Sequence, residues 1–255
     1  MSAMLDHVVA QVLALQVGLL ACRERLGADT DSEALHALRT TLRRLRSLLR
    51  PLRGLPGVEQ LEGAAQALGT LTTPLRDREV LAAQLIGRGH VQAGERRQAG
   101  RAQTFADVAA SPQLARVLAI LDAFPLFLRA AGREGLARRL AKRIDQRLEK
   151  QWRKLGKALD DPAHDRHRLR LLIKRVRYGD EAYPQLDHAR RKLQRLLKKA
   201  QGDLGDWHDR VQWLLQVREH GDLAGCKVAW EHELHAAQGK ADVTLEALRK
   251  AVARR

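Results

Sequence analysis

Cysteine and aromatic residues are scarce in this sequence. The two cysteines, Cys22 and Cys226, are too few for a disulfide framework and are not spaced as a metal site, so we expect a reducing, cytoplasmic environment. The nine aromatic residues leave few platforms for stacking nucleobases, and leave the packing mostly to leucine, alanine and valine.

No run approaches the roughly eighteen apolar residues that a membrane span needs, so we expect no membrane partner. The apolar stretch near the N-terminus follows an aspartate and is interrupted by glutamines, which indicates an amphipathic first helix rather than a signal peptide.

What the sequence has in excess is positive charge. It holds 46 Lys and Arg against 30 Asp and Glu, which gives a formal net charge of +16 and a pI near 10.8. An excess of this size favours a partner such as nucleic acid, anionic lipid or another polyanion. Arginine outnumbers lysine by 35 to 11, and its planar guanidinium suits bidentate contacts with phosphate.

Apolar residues recur at three- and four-residue steps almost throughout the chain, which predicts an all-α fold without strands. Residues 87–110 are rich in glycine and arginine with weak periodicity, which is typical of a loop or a ragged helix. We therefore expect a single domain over 1–255, with a first helical half at 4–88, an irregular connection at 89–110 and a second helical half at 111–252. The predicted helices cover residues 4–26, 32–53, 57–72, 75–88, 112–131, 135–159, 164–183, 186–203, 206–219 and 222–252, the last with a break near Gly239.

One motif occurs twice. Residues 36–46, HALRTTLRRLR, return 131 positions later as residues 167–177, HRLRLLIKRVR, with five of the eleven positions identical. A weaker match follows each copy by about forty residues: LRDR at 75–78 and WHDR at 207–210, at an offset of 132. Because the two offsets nearly agree, we predict two similar antiparallel helical bundles packed as a pseudo-symmetric pair.

On a helix, each copy of the motif separates an apolar stripe from a row of cations that begins at a histidine. Cations three and four residues apart repel one another, and no acidic residue lies between Arg39 and Arg53 to relieve the repulsion. A bound polyanion would turn this repulsion into attraction, so we predict a ligand. The predicted binding residues are His36, Arg39, Arg43, Arg44, Arg46, Arg50, His167, Arg170, Lys174, Arg175 and Arg177. Weaker candidates are Arg138, Arg139, Lys142, Arg153, Tyr178, Arg195, Lys198 and Lys199.

Other interpretations of these residues stay open at this point. A basic helix is commonly a solvated surface, although two copies at one offset argue against that here. A nucleic-acid-binding helical protein would share the electrostatics, but the sequence has few aromatic residues and no recognition motif. A phosphohydrolase that uses His36 or His167 would need a carboxylate cluster for a metal ion or a P-loop, and the sequence shows neither. We therefore expect a non-catalytic protein that requires no cofactor and no metal.

The two motifs, together with LGDWHD at residues 204–209, resemble the CHAD family, the conserved histidine α-helical domain. The resemblance spans roughly residues 4–252. It implies two four-helix-bundle-like halves related by internal pseudo-two-fold symmetry, with a basic groove between them that binds inorganic polyphosphate. It also implies a cytoplasmic location, on polyphosphate granules, and assigns the binding role to the matching His, Arg and Lys residues of the two motifs.

Two features of the sequence bear on this resemblance. Thr72-Thr73 and then Pro74 stand where a Leu-Gly pair is usual in the first half. Many family members also carry a CYTH domain, which has alternating glutamates on a strand. The one similar pattern here, at residues 231–235, lies in a helical region and lacks the basic residue of that pattern, so we expect a chain without a CYTH domain.

Overall fold

The computed structural model describes residues 3–135, 138–186 and 191–255, and every regular element in these ranges is a helix. The all-α prediction is therefore confirmed for the described chain. The α-helices are α1 (Ala3–Gly27), α2 (Ala34–Leu49), α3 (Val58–Gly87), α4 (Val91–Gln98), α5 (Arg101–Ala109), α6 (Pro112–Arg133), α7 (Leu140–Asp160), α8 (Arg166–Ala182), α9 (Arg191–Glu219) and α10 (Lys227–Ala253). Short 3-10 turns cover Arg50–Leu52, Pro184–Leu186 and Gly221–Cys226.

The chain divides into two compact units, Met1–Ile144 and Asp145–Arg255. This division differs from the predicted one, which placed the connection at residues 89–110 and began the second half at 111. Helices α4 and α5 occupy that stretch and pack on α3 and α1, while α6 also packs on α1 and α3. Because α6 buries its apolar side in the first unit, it belongs there rather than to a second half. The pseudo-two-fold relation between the halves stays a prediction.

Helix α1 is central to the first unit. It contacts α2, α5 and α6, and nine of its side chains are buried, but the apolar Leu13, Val17 and Leu20 are exposed, so the helix is less clearly amphipathic than predicted. By length and composition alone, α1 is also long and apolar enough to cross a membrane: an 18-residue window has a mean hydropathy of 1.6, and 39% of that window is buried in the fold. The expectation that no stretch approaches a membrane span was therefore too strict for α1, and the absence of a membrane partner stays a prediction.

The second unit is built around α9, which packs against α8 on one side and α10 on another. Its core contains buried residues from α7 to α10: Trp152, Leu155, Ile173, Val176, Leu193, Leu197, Ala200, Leu204, Ala241 and Leu248. The indole Nε1 of Trp152 donates a hydrogen bond to Oδ1 of the buried Asp180, 3.2 Å away. This bond fixes α8 against α7, so the basic residues of α8 are held on a packed scaffold.

Several predicted helix ends differ from the structure. A single helix, α3, replaces the two predicted at 57–72 and 75–88. Likewise α9 replaces the two predicted at 186–203 and 206–219, of which residues 187–190 lie outside the described ranges. Helix α10 runs through Gly239 without a break. Proline in a helix removes one backbone donor, and at Pro74 the rest of the hydrogen-bond ladder continues, so α3 does not stop there. Helix α7 begins at Leu140, so the weaker candidates Arg138 and Arg139 precede the helix in which they were predicted.

Candidate functional site

Helix α2 separates its residues as the helical periodicity predicts. Leu38, Leu42, Leu45 and Leu49 are buried, whereas His36 and Arg44 are exposed. Three further arginines of the motif, at positions 39, 43 and 46, are half-buried. The helix therefore rests on its leucine stripe and leaves the histidine and arginines at or near the surface of the first unit.

Arg39 is held by α3. Its Nη1 donates to the carbonyl oxygen of Gly69 at 3.2 Å and to the hydroxyl oxygens of Thr72 and Thr73 at 3.1 Å each. Thr72 and Thr73, at the positions where the resemblance led us to expect a Leu-Gly pair, thus hold Arg39 against α3. Burial lowers the pKa of Arg39, although Asp77 opposes the shift. The structure thus gives Arg39 an anchoring contact that the α2 sequence alone did not predict.

Arg50 also has a partner on α3. The carboxylate of Glu62 is buried and accepts two hydrogen bonds from Arg53, at 2.7 and 2.6 Å, and its Oε1 lies 3.7 Å from Nε of Arg50. The acid missing from α2 is thus supplied by the neighbouring helix at this end of the row. Arg46 makes only a long contact with Gln66, at 3.5 Å, and its buried Nε has no hydrogen-bond partner in the described chain.

His36 lies in a positive field at the other end of the row. Burial lowers the pKa of His36, and the charge of Arg76 on α3 lowers it further. Arg43 and Arg39 act in the same direction, while Glu33 opposes them. Arg76 itself pairs with Glu79 at 3.1 Å. We call the following side chains the first basic face: His36, Arg43, Arg44, Arg46 and Arg76.

Helix α8, in the second unit, has the same division as α2 between a buried apolar stripe and a row of basic residues. Asp165 caps the helix by accepting a hydrogen bond from the backbone nitrogen of Arg168 at 2.8 Å. Leu169, Ile173 and Val176 are buried. On the other side of the helix, His167 and Arg175 are exposed, and Arg170, Lys174 and Arg177 are half-buried.

Arg177 and Tyr178 form a local cluster with α9. The guanidinium of Arg177 lies over the Tyr178 ring, 4.2 Å from its centroid, and pairs with Glu181. Its Nε donates to Gln201 at 2.8 Å, and Gln201 in turn donates to the hydroxyl of Tyr178 at 3.0 Å. Tyr178 is buried, so its ring supports Arg177 within the unit.

The structure adds one residue that was not among the predicted binding residues, His208 on α9. Its ring centroid lies 5.0 Å from that of His167. Burial lowers the pKa of His208 to about 4, and Arg170, His167 and Lys174 contribute through their charges. The sequence did carry a signal for it, because the WHDR segment matches LRDR of the first half. In that match His208 corresponds to Arg76, which acts on His36 in the first unit. We call the following side chains the second basic face: His167, Arg170, Lys174, Arg175 and His208.

The weaker candidates are mostly exposed cations. Lys199 pairs with Asp203 at 2.6 Å and donates to Thr244 at 2.7 Å, so it links α9 to α10. The remaining basic members of this group are all exposed: Arg138, Arg139, Lys142, Arg153, Arg195 and Lys198. The structure does not tie them to either basic face. Among the described residues no group of three or more His, Cys, Asp or Glu is placed to hold a metal ion.

Three comparisons bear on the family of this chain. A family model described as the CHAD domain matches residues 7–218. The crystal structure of the CHAD domain from the plant Ricinus communis is similar to this chain with a TM-score of 0.72 at 23% sequence identity, over 98% of this chain and 92% of that one, which shows a common fold. A comparison with curated proteins found no match. Within these 255 residues no CYTH domain is evident. Since the family model covers most of the sequence, the chain belongs to the CHAD family.

Proposed function

We propose that this protein binds inorganic polyphosphate without catalysis, through the first and second basic faces. The family to which the chain belongs is linked to polyphosphate binding. The observation that carries the proposal is the cluster of basic side chains at the second basic face: the ring of His208 lies 5.0 Å from that of His167, and burial together with the charges of Arg170, His167 and Lys174 lowers the pKa of His208 to about 4. Positive charge is therefore concentrated at this face, and it would attract a chain of phosphates.

The geometry of each face suits a ligand with closely spaced charges. Residues four apart on a helix are about 6 Å apart along its axis, so Arg170 and Lys174 can contact neighbouring parts of one polyphosphate chain. Arg39, Arg50 and Arg177 lie in the same rows, but their contacts with neighbouring helices give them a second role in holding the rows in place. The proposal assigns direct binding first to the two basic faces.

The alternative is a nucleic-acid-binding protein, which the same charges would attract. Most of the tryptophans argue against it: Trp152, Trp213 and Trp230 are buried and cannot stack on bases, although Phe127 is exposed and Trp207 is partly buried. A shared basic groove and association with cytoplasmic polyphosphate granules are also part of the proposal. The family resemblance, and not the geometry of either unit, supports these two features.

A competition experiment separates the two ligands. We expect labelled polyphosphate of about 100 units to bind with an affinity that falls steeply with salt and rises with chain length, because more cations engage a longer chain. Unlabelled polyphosphate should displace it at a lower phosphate concentration than RNA or DNA. If RNA or DNA displaced it equally well at equal phosphate concentration, the nucleic-acid alternative would replace the proposal.

The non-catalytic part of the proposal has its own test. Phosphate release from polyphosphate is measured over hours, with and without divalent metal ions. We expect no release above a protein-free control. Release that disappears in His36→Ala or His167→Ala would instead establish a phosphohydrolase.

A further inference from the structure

A separate small pocket lies in the first unit, between the start of α2 and helices α3, α4 and α5. Its volume is about 170 Å³. This is below the roughly 300–1,000 Å³ of pockets that enclose a whole drug-sized ligand, so it suits a group of a few heavy atoms. We call it the α3–α5 pocket. Its charged lining residues are Arg76, Arg78, Arg97, Arg101, Glu33 and Glu79.

The arginines of the α3–α5 pocket outnumber its glutamates by two. Arg76 pairs with Glu79 at 3.1 Å, and Arg101 lies 3.4 Å from Asp29. Arg78 reaches only the hydroxyl of Thr104, at 3.4 Å. Arg101 lines the pocket, and its buried Nε has no hydrogen-bond partner among the described residues.

The pocket adjoins the first basic face. Arg76 belongs to both, and its charge lowers the pKa of His36. Glu33, at the pocket, immediately precedes α2 and lies three residues, or about one helical turn, before His36. A phosphate chain that follows the row of cations on α2 towards its N-terminus would therefore arrive at the pocket.

The two glutamates in its lining distinguish the α3–α5 pocket from the first basic face, which contains no acidic residue. A carboxylate repels a fully ionised phosphate but accepts a hydrogen bond from a protonated one. Internal groups of polyphosphate have no proton near neutral pH, whereas a terminal group has a second ionisable oxygen, with a pKa of about 6 in phosphate monoesters. Both carboxylates line the pocket, and burial raises the pKa of Glu79 although Arg76 opposes the shift, so a glutamate is in place to accept the hydrogen of such a group.

We propose that the α3–α5 pocket holds the protonated terminal phosphate of a polyphosphate chain, with arginines on its oxygens and a glutamate accepting its hydrogen. This inference rests on the proposed function, because the rest of the chain would lie on the first basic face. The same chemistry would accept free orthophosphate, which is the second source of a terminal phosphate group.

The test compares two polyphosphates of about ten units, one with free ends and one with both ends blocked as alkyl esters. The wild-type protein should bind the free-ended chain about 10-fold more tightly, which corresponds to one or two charge-assisted hydrogen bonds. Arg97→Gln should reduce this preference to about 2-fold or less. Arg96→Gln is the matched control: Arg96 is exposed on the same helix, lies outside the pocket lining, and should keep the preference.

Three results would overturn the inference about the pocket, and each can be distinguished from a failure of polyphosphate binding itself. Equal wild-type affinity for the two short chains, or equal preferences in Arg97→Gln and Arg96→Gln, would remove the pocket assignment while long-chain binding persists. Micromolar orthophosphate could also reduce the affinity of the free-ended chain to that of the blocked chain and no further. That result would reassign the pocket to free phosphate. Failure of the wild type to bind even long chains would overturn the proposed function itself.

Discussion

At the scale of single residues, the cations of the two motifs divide by their surroundings. Arg39 and Arg177 contact side chains of the next helix, whereas His36 and His208 lie in fields made mainly by basic residues. Helical periodicity could predict which residues share a face, because that depends only on spacing along one helix. It could not predict that Glu62 would meet Arg50 and Arg53, since that contact depends on how α3 packs.

The state of His208 gives a direct prediction. A bound polyanion offsets the charges of Arg170 and Lys174, so polyphosphate should raise the pKa of His208 from about 4 by roughly one unit or more. Binding then takes up protons and strengthens as the pH falls towards the new value. NMR titration of the imidazole protons, with and without polyphosphate, measures the shift. His220 is exposed at the end of α9, and its resonance at neutral pH should not move. If polyphosphate left the pKa of His208 unchanged, the assignment of His208 to a polyphosphate-binding second basic face would be contradicted.

Glu62 predicts how stability depends on pH. Burial by itself would raise the pKa of Glu62, but the hydrogen bonds and charge of Arg53, with Arg50 and Arg46, outweigh it and hold the pKa below its ordinary value of 4.5. A lowered pKa in the folded state means that this contribution is present above about pH 4.5 and is lost as the pH falls further. Glu62→Gln should therefore lower the free energy of unfolding by about 1–3 kcal/mol at pH 7, less than for a fully buried pair because Arg53 is half exposed.

Urea unfolding from pH 7 to pH 3 measures this difference. The gap between the wild type and Glu62→Gln should narrow below pH 4.5. Glu95→Gln, an exposed change on α4, should stay within about 0.5 kcal/mol of the wild type at every pH. A gap that is constant with pH would show that the carboxylate charge of Glu62 does not contribute.

At the scale of helices, the positions of most elements followed from the sequence but their continuity did not. The apolar periodicity located α1, α2, α6 and α8 to within a few residues, because each buries one face on neighbours. Pro74 suggested a break that α3 does not have. A single proline costs one backbone hydrogen bond, and packing of α3 against α2, α4 and α6 holds the helix across it.

The contact between α2 and α3 leads to a prediction about Arg39. Arg39→Ala should lower the free energy of unfolding by about 1–3 kcal/mol, because it removes hydrogen bonds to Gly69, Thr72 and Thr73. Arg44→Ala, an exposed change five residues further along the same helix, should change stability by less than about 0.5 kcal/mol. Chemical denaturation of both variants provides the measurement. Equal stability of the two would mean that Arg39 does not join the helices.

At the scale of the whole molecule, both the excess of positive charge and the family could be predicted from the sequence. The motif repeated at one offset identified the family, since two copies are far more specific than one. The division between units at residues 144 and 145 was not readable, because it depends on α6 packing within the first unit rather than on the glycine-rich stretch before it. His208 was missed although WHDR matches LRDR of the first half, because its role comes from the approach of its ring to that of His167 on α8.

The central claim is that polyphosphate binds through the two basic faces and not through net charge alone. Isothermal titration calorimetry with long-chain polyphosphate at physiological salt can compare two variants that each lose four positive charges. One changes Arg43, Arg46, Arg170 and Lys174 to Gln; the other changes four exposed arginines outside the faces to Gln, namely Arg116, Arg129, Arg133 and Arg218. Thermal unfolding of both variants checks that each one folds.

We predict that the first variant loses affinity by at least about 100-fold, because direct charge-assisted contacts are removed, and that the second loses about 3-fold or less, because only long-range attraction is reduced. Equal losses in the two folded variants, or full affinity in the first, would contradict the assignment of polyphosphate binding to these faces.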